Sequence, residues 1–161
     1  MNLRTLAVLA LVTVGCASTP EPCKLVPYEL FVEGASTLNL NIEGQSMPVE
    51  LRAYFLSERD LMEKADFEAV WQRAEETLGA TLLKKTSFTV VPGEHKISPI
   101  SVPPATSFIA LVALFRQIDG DQWRKIIDAR GVSSRCREGG LHIPIRAALK
   151  DNRVIAPERI E

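Results

Sequence analysis

From Phe108 to Phe115 the chain reads FIALVALF, an unbroken apolar run inside SFIALVALFRQI (Ser107 to Ile118). A helix needs roughly 20 apolar residues to cross a bilayer, so this run is too short to span one. Its β-branched and aromatic content, with strand-like patterns nearby, predicts a central strand covered on both faces. A strand buried on both sides commits the fold to further layers around it.

The remaining segments supply those layers. Leu30 to Asn41, LFVEGASTLNLN, carries an apolar start at Leu30 to Val32 and then alternation at Leu38, Leu40 and Ile42, which reads as a strand broken near Gly34. Val49, Leu51, Ala53 and Phe55 alternate with Glu50, Arg52 and Tyr54, predicting a half-buried strand with one solvated face. The period then changes. Phe67, Val70, Trp71, Ala74 and Leu78 recur at helical spacing, with Asp66 as N-cap and Gly79 as stop, so a single amphipathic helix is expected. A short turn at Leu61 and Met62 precedes it, with Ser57 and Asp60 as a capping pair. Strand patterns resume in TLLKKTSFTVV, turn at Pro92-Gly93, return in HKISPISV and stop at Pro103-Pro104. Beyond the central strand, Asp119 to Asp121 turns the chain into QWRKII, a short strand or turn of helix. GVSSRCREGG is a loop, and LHIPIRAALKDNRVIAPE a hairpin turning at Lys150 to Asn152. Seven or eight short strands with one inserted helix describe a mainly β fold, a two-sheet β-sandwich.

The N-terminus belongs to another task. Arg4 gives a short positive region, Leu6 to Val12 an apolar one, and small residues lead to Cys16, the layout of a secretory signal. Thr13-Val14-Gly15-Cys16 resembles a bacterial lipobox, in which the cysteine is alkylated by a diacylglyceryl group and becomes residue one after cleavage. The alternative is an ordinary leader cut near Ala17. Several acyl chains hold a protein on a membrane where one chain holds it only marginally. Ala17 and Ser18, rather than an aspartate, follow the cysteine, which under the lipoprotein sorting rule directs the protein to the outer membrane. Pro20, Pro22 and Pro27 among polar residues keep the next stretch extended. The expected organisation is a removed signal over 1–15, a lipidated tether over 16–27 and one sandwich domain over 28–161.

With Cys16 acylated, Cys23 and Cys136 remain as an even pair in an oxidising compartment, either bonded or two buried thiols. A bond would staple the tether to the C-terminal part of the domain, worth ~4 to 5 kcal/mol in the chain-entropy treatment. The 19 basic and 20 acidic residues nearly balance, so no basic footprint for nucleic acid exists. Enzyme chemistry has little support. His95 and His142 are not in metal spacing, and no G-x-S-x-G elbow, C-x-x-C or phosphate-cradling glycine loop is present. Asp119 and Asp121 lack the rest of a calcium loop, and Trp71 lies on the apolar stripe of the helix, where core packing outweighs ligand stacking. No metal or cofactor is expected.

GQSMPVELRAYFL, ADFEAVW, LGATLLKK, VVPGEHK and IALVALFRQIDGDQWRKII, in this order behind a lipobox, resemble the type VI secretion lipoprotein family, often called TssJ. The resemblance implies a transthyretin-like sandwich anchored in the outer membrane and facing the periplasm. It also implies a partner, the periplasmic C-terminal domain of the large inner-membrane component of the secretion machine. In that family the loop between the first two strands makes the contact, and it maps onto Asn41, Ile42, Glu43, Gly44, Gln45, Ser46, Met47 and Pro48. On composition alone this is a bland polar loop with Met47 as a soft apolar tip. Two other classes remain open: a periplasmic ligand-binding sandwich lipoprotein, which exposed aromatics along a cleft would favour, and an envelope hydrolase or protease inhibitor.

Overall fold

The computed structural model describes residues 26–130 and 143–160; Cys16, Cys23, Cys136 and His142 lie outside the described residues. In chain order the elements are strands β1 (Val26–Gly34) and β2 (Val49–Leu56), helices α1 (Asp60–Lys64), α2 (Phe67–Gln72) and α3 (Ala74–Leu78), and strands β3 (Leu82–Val90), β4 (His95–Val102), β5 (Phe108–Ala113), β6 (Arg124–Asp128), β7 (Ile143–Lys150) and β8 (Arg153–Ile155). They build two four-stranded sheets, one in the order β4-β1-β7-β8 and the other β3-β2-β5-β6. Every pairing is antiparallel except that of β1 with β7. The expected mainly β, two-sheet sandwich is the observed architecture.

The inner faces follow from strand alternation. Tyr28, Leu30 and Val32 of β1 and Ile145, Ala147 and Leu149 of β7 meet Leu51, Ala53 and Phe55 of β2 in one core. β5 pairs Leu111 with Ala53 and Ala110 with Tyr54, and both residues are fully buried, so this central strand is covered on both faces as its composition requires. It is shorter than the apolar run. The strand ends at Ala113, and Arg116 to Ile118 lie exposed in the connection to β6.

The cover over the outer face of the second sheet is helical, and it departs from expectation in three ways. The single helix is two: Arg73, at φ −131 and ψ 46, interrupts it between α2 and α3. The Asp66 cap does form, its carboxylate accepting from Ala69 N at 2.7 Å, whereas Ser57 and Asp60 do not cap α1, whose N-cap position is Arg59. Finally, the face of β2 expected in water is roofed. Arg52 lies 3.6 Å from the Trp71 ring centre and donates to Trp71 O at 2.7 Å, and the Tyr54 hydroxyl donates to Val70 O. Tertiary packing overrides a polar strand face when a cation can stack on an aromatic ring. Met62, Val70 and Leu78 are fully buried beneath the helices, each worth about 1.5–3 kcal/mol relative to exposure.

Two further corrections concern β1. It takes up Val26 and Pro27, paired with Val102 and Ser101, residues that composition places in the tether. It also ends at Gly34. A Cβ there would lie 2.6 Å from Val91 O, so the close approach of the β3–β4 turn demands glycine. Leu38, Leu40 and Ile42 consequently alternate in a long loop and not in a strand.

Candidate functional site

The connections β1–β2, β3–β4, β5–β6 and β7–β8 gather at the end of the sandwich where β1 finishes; the start of β1 and the β2-to-β3 helical crossing belong to the other end. The gathering is bonded. Gly34 N donates to Glu94 O at 2.9 Å, Ala35 N to Leu149 O at 2.8 Å, and Thr37 Oγ1 to Asp151 Oδ1 at 2.9 Å.

Asn39 is the residue on which these loops converge. It is 3 % exposed, and its φ of 53° lies in the left-handed region that Asn tolerates better than most residues. Its backbone N donates to Asp151 O at 2.9 Å, its Nδ2 to Pro48 O at 3.2 Å, and its Oδ1 accepts from Arg116 N at 2.8 Å. One buried residue, through its side-chain amide and its backbone N–H, thus joins three connections. An Asn between Leu38 and Leu40 is the available sequence signal, a turn-former inside what reads as a strand.

The tip beyond it is a compact hairpin. Gly44 N donates to Asn41 O at 3.0 Å and Asn41 N to Gln45 O at 2.9 Å, with Gly44 at φ 75 in the position that needs a left-handed residue. The Asn41 side chain braces it from within, Oδ1 accepting from Glu43 N at 3.0 Å and Gln45 N at 2.8 Å while Nδ2 reaches Gln45 Oε1 at 3.0 Å. Local bonds of this kind fix a loop without core packing. Met47 is half-buried, its N donating to Leu38 O, so it is not the apolar tip. Ile42 is, at 91 % exposure, with half-exposed Leu40 behind it. Asn41, Ile42, Glu43, Gly44, Gln45, Ser46, Met47 and Pro48 therefore form one continuous, ordered projection, to which Arg116 and Gln117 of the β5–β6 connection are adjacent.

Elsewhere, a groove of about 420 Å³ crosses the outer face of the first sheet between Phe31, Ile97, Arg146 and Ile155. Among the described residues that line it, Phe31 is the one Phe, Tyr or Trp, and the Arg146 guanidinium already stands 5.3 Å over that ring. Trp71 and Trp123 are both used structurally, each against Phe67. His95 is exposed at the start of β4.

A family model described as type VI secretion lipoprotein (VasD, EvfM, TssJ) matches residues 27–152, nearly the whole described sandwich. The chain belongs to the type VI secretion lipoprotein family. The resemblance drawn from its motifs is thereby established, and the family is one of lipoprotein components of the secretion system. Solved structures share the fold of this TssJ-family chain. Pseudomonas aeruginosa TssJ1 superposes with a TM-score of 0.68 at 24 % identity, covering 83 % of this chain and 98 % of its own. Serratia marcescens Lip, a membrane-bound component of the type VI secretion system, gives 0.70 at 18 %, covering 81 % and 96 %. A chain in the structure of the TssM C-terminal domain (869–1107) from EAEC gives 0.66 at 16 %, covering 81 % and 97 %. No curated protein matches the sequence.

Proposed function

We propose that this TssJ-family protein is acylated at Cys16, sits on the periplasmic side of the outer membrane, and ties the type VI secretion membrane complex to it by binding the periplasmic C-terminal domain of the large inner-membrane component through Asn41 to Pro48. The observation that carries this reading is the polarity of the sandwich. The chain enters β1 at one end and leaves it nine residues later at the end bearing the loop, about 30 Å away at strand rise. A lipid anchor upstream of Val26 therefore leaves the Ile42 tip facing away from the membrane, where a domain rising from the inner membrane meets it. The role needs no cofactor and no turnover. It needs a rigid projection, and the bonds within Asn41 to Gln45 mean that little order has to be gained on binding. The TssJ-like chain in the structure of a TssM C-terminal domain supports the choice of partner.

The test is to label cells with a palmitate analogue, separate inner from outer membranes, and capture the protein under native conditions. The reading expects label in the full chain and none in Cys16→Ser, recovery in the outer membrane, and co-capture of the inner-membrane component. An unlabelled wild-type protein, or an outer-membrane protein that captures no such component, overturns it.

A further inference from the structure

The loop tip does not stand alone. Between it and the β5–β6 connection lies a cleft of about 520 Å³ lined by Leu40, Asn41, Ile42, Arg116 and Gln117. Its two walls are tied together at the base by the bond from Arg116 N to Asn39 Oδ1. The chemistry of the walls is mixed. Leu40 and Ile42 offer aliphatic surface, at 43 % and 91 % exposure. Arg116 is exposed too, and its guanidinium makes no ion pair or hydrogen bond among the described residues. The contrast is with Arg52, Arg124 and Arg130, each of which pairs with a carboxylate within 3 Å. An unengaged cation beside an aliphatic wall is matched by an apolar side chain flanked by a carboxylate, since a guanidinium offers a planar fork that fits a carboxylate in two places.

We infer that the partner-binding surface is this two-walled cleft and that Arg116 is a specificity determinant within it, receiving an Asp or Glu of the partner domain whose apolar neighbour enters between Leu40 and Ile42. The inference rests on the proposal that the β1–β2 loop contacts that domain. It adds a second chain segment, 77 residues from Asn39, to the contact.

Affinity of the detergent-solubilised lipidated protein for the purified periplasmic domain distinguishes the two claims. Ile42→Ser tests the loop and Arg116→Gln the second wall; both side chains are exposed and melting temperatures should equal wild type. Both substitutions are expected to weaken binding by about tenfold or more. Raising salt from roughly 50 to 300 mM is expected to weaken the wild type more steeply than Arg116→Gln, because the variant lacks the cation that salt screens. Arg116→Gln binding like wild type while Ile42→Ser does not overturns the inference and leaves the loop proposal standing. Wild-type affinity for both overturns the two together. If Arg116→Gln melts early, the salt response of the wild type alone decides: an affinity indifferent to salt excludes the ion pair.

Discussion

Asn39 shows how a single side chain can set the geometry of a whole end of a fold. Replacing it with Ala removes two side-chain hydrogen bonds, leaves Pro48 O and Arg116 N short of a partner, and leaves the left-handed backbone without the side-chain amide that favours it. We expect Asn39→Ala to cost about 2–4 kcal/mol in denaturant unfolding, and a loss under 0.5 kcal/mol would mean water replaces the amide freely. Asp128 acts at the opposite end. Its carboxylate is held far below the usual range chiefly by the Arg130 guanidinium, with help from the Arg130 N–H and from Arg159 and with desolvation opposing. A carboxyl depressed in the fold adds stability that is complete above about pH 4, its unfolded value, and drains away as pH falls toward the folded one. Arg130 and Arg159 are mostly exposed, so water screens much of the gain. The stability gap between wild type and Asp128→Asn should be widest at pH 7 and close progressively below pH 4; a gap constant across that range would contradict the assignment.

Among elements, the helical layer is where sequence and structure part most informatively. Asp66, the apolar stripe from Phe67 to Leu78 and Gly79 were all legible, because capping and periodicity are local. The break at Arg73 and the roof over β2 were not, because both depend on what the helices land on. The same limit explains Leu38, Leu40 and Ile42: a spacing of two fits a strand, and only the bonds of Asn39 to other loops and of Asn41 within its own make it a turn. The candidate loop was located by its resemblance to a family, and its exposed apolar tip, Ile42 in place of Met47, came from geometry. Arg124 was likewise invisible as a structural keystone. Its guanidinium donates to Met62 O, to Ala65 O at 2.8 Å, to Glu63 O at 2.7 Å and to Asp121 Oδ1 at 2.7 Å, capping the end of α1 and fastening it to β6. A lysine keeps the charge but not the fork. Arg124→Lys should therefore speed amide exchange in α1 and its C-cap by about tenfold or more, while the β2–β5 ladder exchanges as in wild type. Unchanged exchange in α1 would show that apolar packing of Met62 holds it unaided.

At the scale of the whole molecule, the proposed function assigns the anchor to the end where β1 starts and the partner contact to the end where it finishes. Val26 opens β1, and Tyr28 pairs in parallel with Ile143, so the segments carrying Cys23 and Cys136 lead into neighbouring strands at the same end. We expect these two cysteines to be joined: peptide mapping without reductant should recover a single bridged pair, and alkylation of both in the native protein would refute it. Such a bridge would share tension from the lipid between β1 and β7, the two inner strands of the first sheet. The central claim, that the opposite end grips the partner, is tested most directly by replacing Asn41 to Gln45 with Asn-Gly, which keeps Leu38 and Asn39 and so spares the loop base. This variant should unfold and attach to the membrane like wild type, while calorimetric titration with the inner-membrane component's periplasmic domain should show no measurable binding. An affinity within about threefold of wild type, less than ~0.7 kcal/mol, would place the contact elsewhere on the sandwich.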